Sequence, residues 1–332
     1  MAKILSVPKP PKSKSNQKSI YAAGKRIGFF AAAIIFSGLF CFGINQTQFK
    51  FENYLFAQIS SPDIMFPSAI HVKKEITNSE LDIDVKAAVS LRTDSNGREK
   101  LFFKKNAVEI LPIASLTKLM SAVVVSENTE LFNPNKKIEV SISSSLQEDV
   151  PVSGNLRAGE SYSVSQLLEL MLYYSSNDAA WALSEIAGTD KFVDLMNKKG
   201  AEIGLKNTFF INPHGLDSED GQSNYSSVED ILVLVKYILK NHLEIFPLTV
   251  ASGNYLTGNG LFNLDLWNGQ ILVGGKTGYT EKAGGCMVVI FKNENQRQFI
   301  NIVLGAKSSE SRVVEMQKLI NFANNADKIK AQ

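Results

Sequence analysis

Hydrophobic positions are spaced in three ways along this chain, and each predicts a different kind of element. The first is an unbroken apolar run, Ile27 to Ile44, reading IGFFAAAIIFSGLFCFGI without a charge. At about 1.5 Å per residue it is just long enough to cross a hydrocarbon core. The second is short, strand-like spacing. Val85–Leu91 and Lys100–Phe103 read as strands joined across Thr93-Asp-Ser-Asn-Gly97, where Asn-Gly supplies the positive φ of a hairpin. Further strands are expected at about 271–277, 285–292 and 298–305. The third is helical. Ser163-x-x-Gln166 forms a capping box ahead of Leu167–Leu172. Thr189 is placed to cap a helix with Phe192, Leu195 and Met196 on one face. Ser226-x-x-Glu229 opens another, with Ile231, Leu232, Leu234, Val235, Ile238 and Leu239 as its buried stripe. Val313–Phe322 reads as a closing helix.

Strands at both ends with helices between them predict an α+β fold, one sheet built from the two ends of the chain and packed on a helical insert. The 332 residues, 44% hydrophobic and 20% charged, suit one folded domain of about 250 residues, placed at residues 81–328. Residues 45–80 read as a connector, with Pro62, Pro67 and several serines. Its aromatics, Phe49, Phe51, Tyr54, Phe56 and Phe66, fit either a membrane interface or packing on the domain.

Charge changes this picture at one place. The net charge is only +2, but residues 1–26 hold Lys3, Lys9, Lys12, Lys14, Lys18, Lys25 and Arg26 with no acidic residue. The remainder is slightly acidic, so nucleic acid is not an expected partner. Positive charge ahead of an apolar run holds that end in the cytoplasm and sends the rest across. Residues 1–26 are therefore expected to be a cytoplasmic tail and 27–44 a transmembrane helix, in a single-pass protein whose folded domain lies outside the cytoplasmic membrane. The alternative is a cleaved signal segment, for which Cys41-Phe-Gly43 is the nearest approach to a cleavage site. Leu39-Phe40 are too bulky to make Cys41 a lipidation site. With Cys41 inside the run, a bridge to Cys286 is not expected, and the domain must be held by its core. His71, His214 and His242 lack ligand spacing, so no metal and no cofactor is expected, and each histidine reads as a surface or structural residue.

Three short motifs carry chemistry. Ser115-Leu-Thr-Lys118 follows Pro112, which presets the start of a helix. Spacing of three puts hydroxyl and amine on one face, a turn apart, and the unpaired amides of a helix start stabilise an oxyanion. Lysine acts as a base only when neutral, which burial and a second nearby cation favour. Ser175-Ser-Asn177, followed by Asp-Ala-Ala, interrupts two helical stretches, Leu167–Tyr174 and Ala179–Ile186. A hydroxyl there can relay a proton, and the asparagine amide can orient a substrate. Gly274-Gly-Lys276-Thr-Gly278-Tyr-Thr280 lies on an expected strand, where the glycines mark close backbone approach. No G-x-x-x-x-G-K-[ST] spacing leads a helix, which excludes a phosphate cradle.

Taken singly, each motif also fits a plain structural turn. Taken together and in this order, they resemble the S-x-x-K, S-x-N and K-T-G set of penicillin-binding proteins and serine β-lactamases. Ser-Asn-Asp-Ala-Ala, Phe192-Val-Asp-Leu-Met-Asn197, Gly204-Leu-Lys-Asn-Thr208, Asn212-Pro-His-Gly-Leu216 and Lys276-Thr-Gly-Tyr-Thr-x-x-Ala-Gly284 are similar to the low-molecular-mass D-alanyl-D-alanine carboxypeptidases, from about residue 85 to 325. The resemblance implies a five-stranded antiparallel sheet flanked by helices, beside a helical subdomain. It implies Ser115 as nucleophile, Lys118 as its base, Ser175 as proton shuttle and Asn177 as a holder of the substrate amide. Lys276 would supply positive charge and Thr277 would bind the terminal carboxylate. Gly278 and Tyr279 continue the substrate-binding strand, with the amides of Ser115 and Tyr279 as oxyanion hole. Peptidoglycan stem peptides ending in D-Ala-D-Ala would be substrates and β-lactams covalent inhibitors, with related endopeptidase action left open.

There are departures. Ser176 stands where the family has glycine, Leu111-Pro-Ile-Ala114 replaces a basic-Pro-Pro-Ala, and the chain ends at Gln332, leaving anchoring to the N-terminal run. A class A β-lactamase would need a glutamate in an E-x-x-x-N arrangement between the second and third motifs. Glu185, Glu202, Glu219, Glu229 and Glu244 have no asparagine four residues on, and class C enzymes want tyrosine where Ser175 stands. A non-catalytic wall-binding protein is the other competing class, against which stands the survival of every candidate group. Cys286 reads as a small core residue.

Overall fold

The computed structural model describes residues 81–147, 155–250 and 270–328. The basic tail, the apolar run with Cys41 and the connector all lie outside the described residues. Every described residue belongs to one compact unit, Lys74–Gln332. Among the described residues, no helix is long and apolar enough to cross a membrane.

The chain begins with a hairpin, β1 (Ala87–Thr93) and β2 (Glu99–Lys105). Gly97 alone takes the positive φ of its turn, at 75°, and Asp94 accepts the amides of Asn96 and Arg98. After the two-residue strand β3 (Leu111–Pro112), a 3-10 turn at Ala114–Leu116 runs into α1 (Thr117–Glu127). Strands β4 (Lys137–Glu139) and β5 (Ser161–Ser163) pair with each other ahead of α2 (Val164–Tyr173), α3 (Asn177–Glu185) and α4 (Thr189–Glu202). Strand β6 (Tyr225–Ser226) pairs with β3 and is followed by α5 (Val228–Asn241) and a 3-10 turn at Phe246–Val250. Three long strands, β7 (Ile271–Thr280), β8 (Gly284–Lys292) and β9 (Gln298–Ala306), precede α6 (Ser311–Lys328).

The main sheet has the order β2-β1-β9-β8-β7, antiparallel throughout. It is therefore the five-stranded sheet expected from the resemblance, closed by pairing Ala87 with Leu304 across almost the whole domain. Both faces are covered, which is why β8 is apolar at nearly every position. Met287, Val289, Phe291, Phe299 and Val303 meet Met316, Leu319, Ile320 and Ala323 of α6. Cys286, Val288, Ile290, Ile300, Ile302 and Leu304 face the larger core shared with the helices. Each such buried Leu, Ile or Phe contributes about 1.5–3 kcal/mol relative to exposure.

Three expected helix starts are displaced, each for a physical reason. Pro112 does not open a helix: its fixed φ also suits an extended chain, and pairing with Tyr225 holds it in β3. The helix proper begins at Thr117. Thr189 does not cap α4. Gly188, at φ 85°, occupies that place, and its carbonyl accepts the amide of Phe192. Ser227 rather than Ser226 caps α5, accepting the amide of Asp230. Ser226 is held in β6 by its pairing with Leu111, and the Glu229 amide goes instead to Ala107 O. The capping box of Ser163 and Gln166 forms as expected.

Candidate active site

Ser115 lies in the 3-10 turn, and Lys118 is one turn further on, inside α1. The turn is made by Ala114, a non-glycine residue at φ 46°, a conformation that costs about 1–3 kcal/mol and persists only where its surroundings impose it. Gly215 is part of that surrounding. It has φ 96°, and a Cβ there would lie 2.0 Å from Ala114 O. Asn224 fastens the same place: its Nδ2 donates to Thr117 Oγ1 at 2.9 Å and to Asn212 O at 3.0 Å, and its Oδ1 accepts the Ile211 amide at 2.7 Å.

Lys118 is fully buried. Its Nζ donates to Ser115 Oγ at 2.8 Å, Asn177 Oδ1 at 2.6 Å and His214 O at 2.9 Å. Lys276 on β7 is fully buried as well. Its Nζ donates to Ser175 Oγ at 2.8 Å and Thr277 O at 3.0 Å. Two buried lysine amines thus each hold a serine hydroxyl. Both lysines lose their water on folding, a cost of several kcal/mol each that these hydrogen bonds offset.

The second motif occupies the break between α2 and α3. Ser175 adopts φ 64°, and Ser176 caps α3 by accepting the amide of Ala179 at 3.1 Å. The serine that replaces the family's glycine therefore starts the helix that carries Asn177. Asp178, buried beside it, accepts the amides of Gln147 at 3.0 Å and Leu156 at 2.9 Å. The third motif approaches closely enough to explain its glycine: a Cβ on Gly278 would lie 2.9 Å from Ser115 N and 3.1 Å from Ala114 Cβ. Thr277 is buried, and Tyr279 is 45% exposed.

The structure thus brings Ser115, Lys118 and Asn177 into one bonded cluster and Ser175 and Lys276 into another, with Thr277, Gly278 and Tyr279 next along β7. Three further residues belong to the site. His214 is buried, its Nδ1 accepts the Leu216 amide at 3.0 Å, and its ring stacks on Trp181 with centroids 5.7 Å apart. Burial, and secondly the charge of Lys118, push its pKa down to about 3. It stays neutral and serves as a wall with a useful carbonyl. Arg312 of α6 donates from Nη1 to Gly278 O at 2.8 Å, and burial pushes its pKa down. Asn224 is the third. His214 sits in the Asn212–Leu216 motif, whereas no local pattern marks Asn224 or Arg312, since Thr117 Oγ1 and Gly278 O, on which they act, are remote in sequence. Cys286 is buried, and burial raises its thiol pKa to about 11, so it is no competing nucleophile.

A family model described as D-alanyl-D-alanine carboxypeptidase matches residues 74–308. The chain belongs to that family. Among its relatives in the family, D-alanyl-D-alanine carboxypeptidase DacF of Bacillus subtilis is 34% identical over 270 residues, covering 77% of this chain and 66% of DacF. DacA of Escherichia coli is 32% identical over 242 residues, 67% of this chain and 57% of DacA. The chain therefore spans somewhat less than two thirds of the length of these curated relatives. A crystal structure of penicillin-binding protein D2 from Listeria monocytogenes, in its cefotaxime-bound form, matches with a TM-score of 0.62 and 28% identity over 73% of this chain and 98% of that one. The family's penicillin-binding, five-stranded architecture is the fold described above.

Proposed function

We propose that this carboxypeptidase-family chain is a serine enzyme removing the terminal D-alanine from peptidoglycan stem peptides ending in D-Ala-D-Ala. The observation that carries the reading is the 2.8 Å contact between the Ser115 hydroxyl and the buried Lys118 amine. When Lys118 is neutral that contact reverses, and Ser115 donates to Nζ while Oγ attacks the scissile carbonyl. The Oγ–C bond forms, the C–N bond breaks, and the proton passes from Lys118, with Ser175 as shuttle, to the departing D-alanine nitrogen. The amides of Ser115 and Tyr279 stabilise the oxyanion. Asn177 holds the peptide amide, and Lys276 and Thr277 hold the terminal carboxylate. Water then attacks the acyl-enzyme, giving a proton to Lys118, which passes it to Ser115 Oγ as the ester C–O bond breaks, so that the free serine and neutral lysine are restored. The same Ser115 is the site at which β-lactams acylate the enzyme.

Residues 81–328 form the catalytic domain in this reading. The basic tail 1–26 stays in the cytoplasm, 27–44 anchors the chain in the cytoplasmic membrane, and 45–80 connects anchor to domain on the outer side, where the substrate is.

The test labels the full chain in detergent with a fluorescent penicillin, maps the adduct by mass spectrometry, and follows D-alanine release from a peptide ending in D-Ala-D-Ala. A slowly lost adduct on Ser115 with D-alanine release, both absent in Ser115→Ala, is the expected result. Rapid lactam turnover would point to a β-lactamase. A folded protein with neither adduct nor release would remove the catalytic reading.

A further inference from the structure

Among the described residues, strand β7 is an edge of the main sheet, with β8 on one side only. An edge strand offers unpaired amides and carbonyls at every second residue. On β7 these belong to Gly275, Thr277 and Tyr279. The Gly275 amide leaves the sheet to donate to Thr249 Oγ1 at 3.0 Å, and the Thr277 carbonyl turns away from β8 to accept from Lys276 Nζ. By the two-residue repeat, Tyr279 presents its backbone on the same side.

The direction of a peptide on this edge follows from charge. Ser115 lies level with Gly278, where only the missing Cβ leaves room for its amide. The positive charge of Lys276 lies on the Gly275 side of that level. A terminal carboxylate is drawn there, so the acyl part of the peptide runs past Tyr279 and the leaving part runs toward Gly275. At about 3.3 Å per residue, one leaving residue reaches the level of Thr277, and a second, level with Lys276, would run its terminal carboxyl group on toward Gly275.

The Gly275 end of that second place is filled. Thr249 Oγ1 holds the Gly275 amide and itself donates to Phe246 O at 2.6 Å, and Thr249 is fully buried. The 3-10 turn Phe246–Val250 is pressed so closely on the strand that a Cβ on Gly274 would fall 2.6 Å from Phe246 O and 2.7 Å from Phe246 Cβ. We propose that Thr249 and this turn are a stop on the substrate edge, limiting the leaving group to one carboxylate-ended residue and excluding peptides whose main chain continues beyond it. The inference rests on the carboxypeptidase reading and adds its specificity. Thr249 is a specificity-determining residue here, not a catalytic one.

The experiment compares two peptides on the full chain, one ending in D-Ala-D-Ala and one extended by a glycine to D-Ala-D-Ala-Gly, measuring kcat/KM for cleavage after the first D-alanine. The extended peptide is expected to be cut at least about 100-fold more slowly. Thr249→Ala, which uncaps the Gly275 amide, should narrow that ratio by about tenfold or more, while Thr249→Ser, which keeps the hydroxyl, should preserve it. Penicillin labelling of Ser115 reports that each variant retains its site. Comparable cleavage of both peptides by the wild type would overturn the stop, as would a labelled Thr249→Ala protein with an unchanged ratio. Cleavage of neither peptide would overturn the carboxypeptidase reading itself, and this inference with it.

Discussion

A lysine buried to its last atom needs acceptors for its protons, and Lys118 finds them in a hydroxyl, an amide and the carbonyl of His214. The price of that carbonyl is an imidazole packed where it cannot be charged. The His214 pKa falls to about 3 from an ordinary value of 6.5. Between those values the unfolded chain binds a proton at this residue and the folded one does not. The stabilising effect is therefore fully present above pH 6.5 and is lost as pH falls toward 3. One proton corresponds to a slope of about 1.4 kcal/mol per pH unit. Denaturant unfolding measured from pH 6.5 to 5, above most carboxylate titrations, should show that slope in the wild type and a shallower one in His214→Gln. Identical slopes would mean that His214 is not held neutral. At this scale the sequence is informative about chemistry and nearly silent about support. Ser115, Lys118, Ser175, Asn177 and Lys276, the proposed catalytic groups that the structure brings together, could be picked out from spacing and resemblance, because the chemistry proposed for them demands particular residue types. Asn224 and Arg312 act by bonding groups far along the chain, Thr117 Oγ1 and Gly278 O, and nothing next to them records which groups those are.

Elements were legible to the degree that local pattern alone decides them. The strands at 285–292 and 298–305 follow from short, nearly continuous apolar runs, and the helix behind Ser163 from a capping box. The starts of α1, α4 and α5 do not, because pairing of β3 with β6 and a glycine at 188 compete with the local caps. The same competition builds the site. The turn carrying Ser115 is bent through Ala114 and pressed between β7 and Gly215, so its shape is imposed by neighbours. Gly278→Ala puts a methyl 2.9 Å from the Ser115 amide and must push the two elements apart. Acylation by a fluorescent penicillin should slow by about 10²–10³, the usual cost of one lost oxyanion donor, with a stability loss of about 1–3 kcal/mol from the overpacking. A variant acylating at the normal rate would show that β7 does not set the position of the nucleophile's amide.

Across the whole molecule, the closing helix is fastened at its far end by one carboxylate. Asp327 of α6 pairs with Arg92 on β1 and, at 3.0 Å, with Arg297 beside β9. Asp327→Asn leaves two guanidinium groups without their countercharge and should destabilise the domain by about 1–3 kcal/mol. The penicillin acylation rate should stay unchanged, because the pair lies behind the sheet from Ser115. A loss of acylation equal to that of Gly278→Ala would contradict this division between the two faces. That strands at both ends of the domain would share a sheet was legible from element order. The strand order within it was not, because pairing partners are set by which faces bury together.

Pairing of residue 87 with residue 304 also imposes a timetable. A chain that emerges N-terminus first presents Ser115 and Lys118 long before β7 brings Lys276. Meanwhile the first hairpin waits with one edge unfilled until β9 arrives. Such distant pairings are slow to close. During that wait the serine has neither its neighbouring strand nor its opposing cation. Under the proposed mechanism the nascent protein is therefore inert until nearly the whole domain is complete, because acylation needs β7 and Lys276 as well as Ser115 and Lys118.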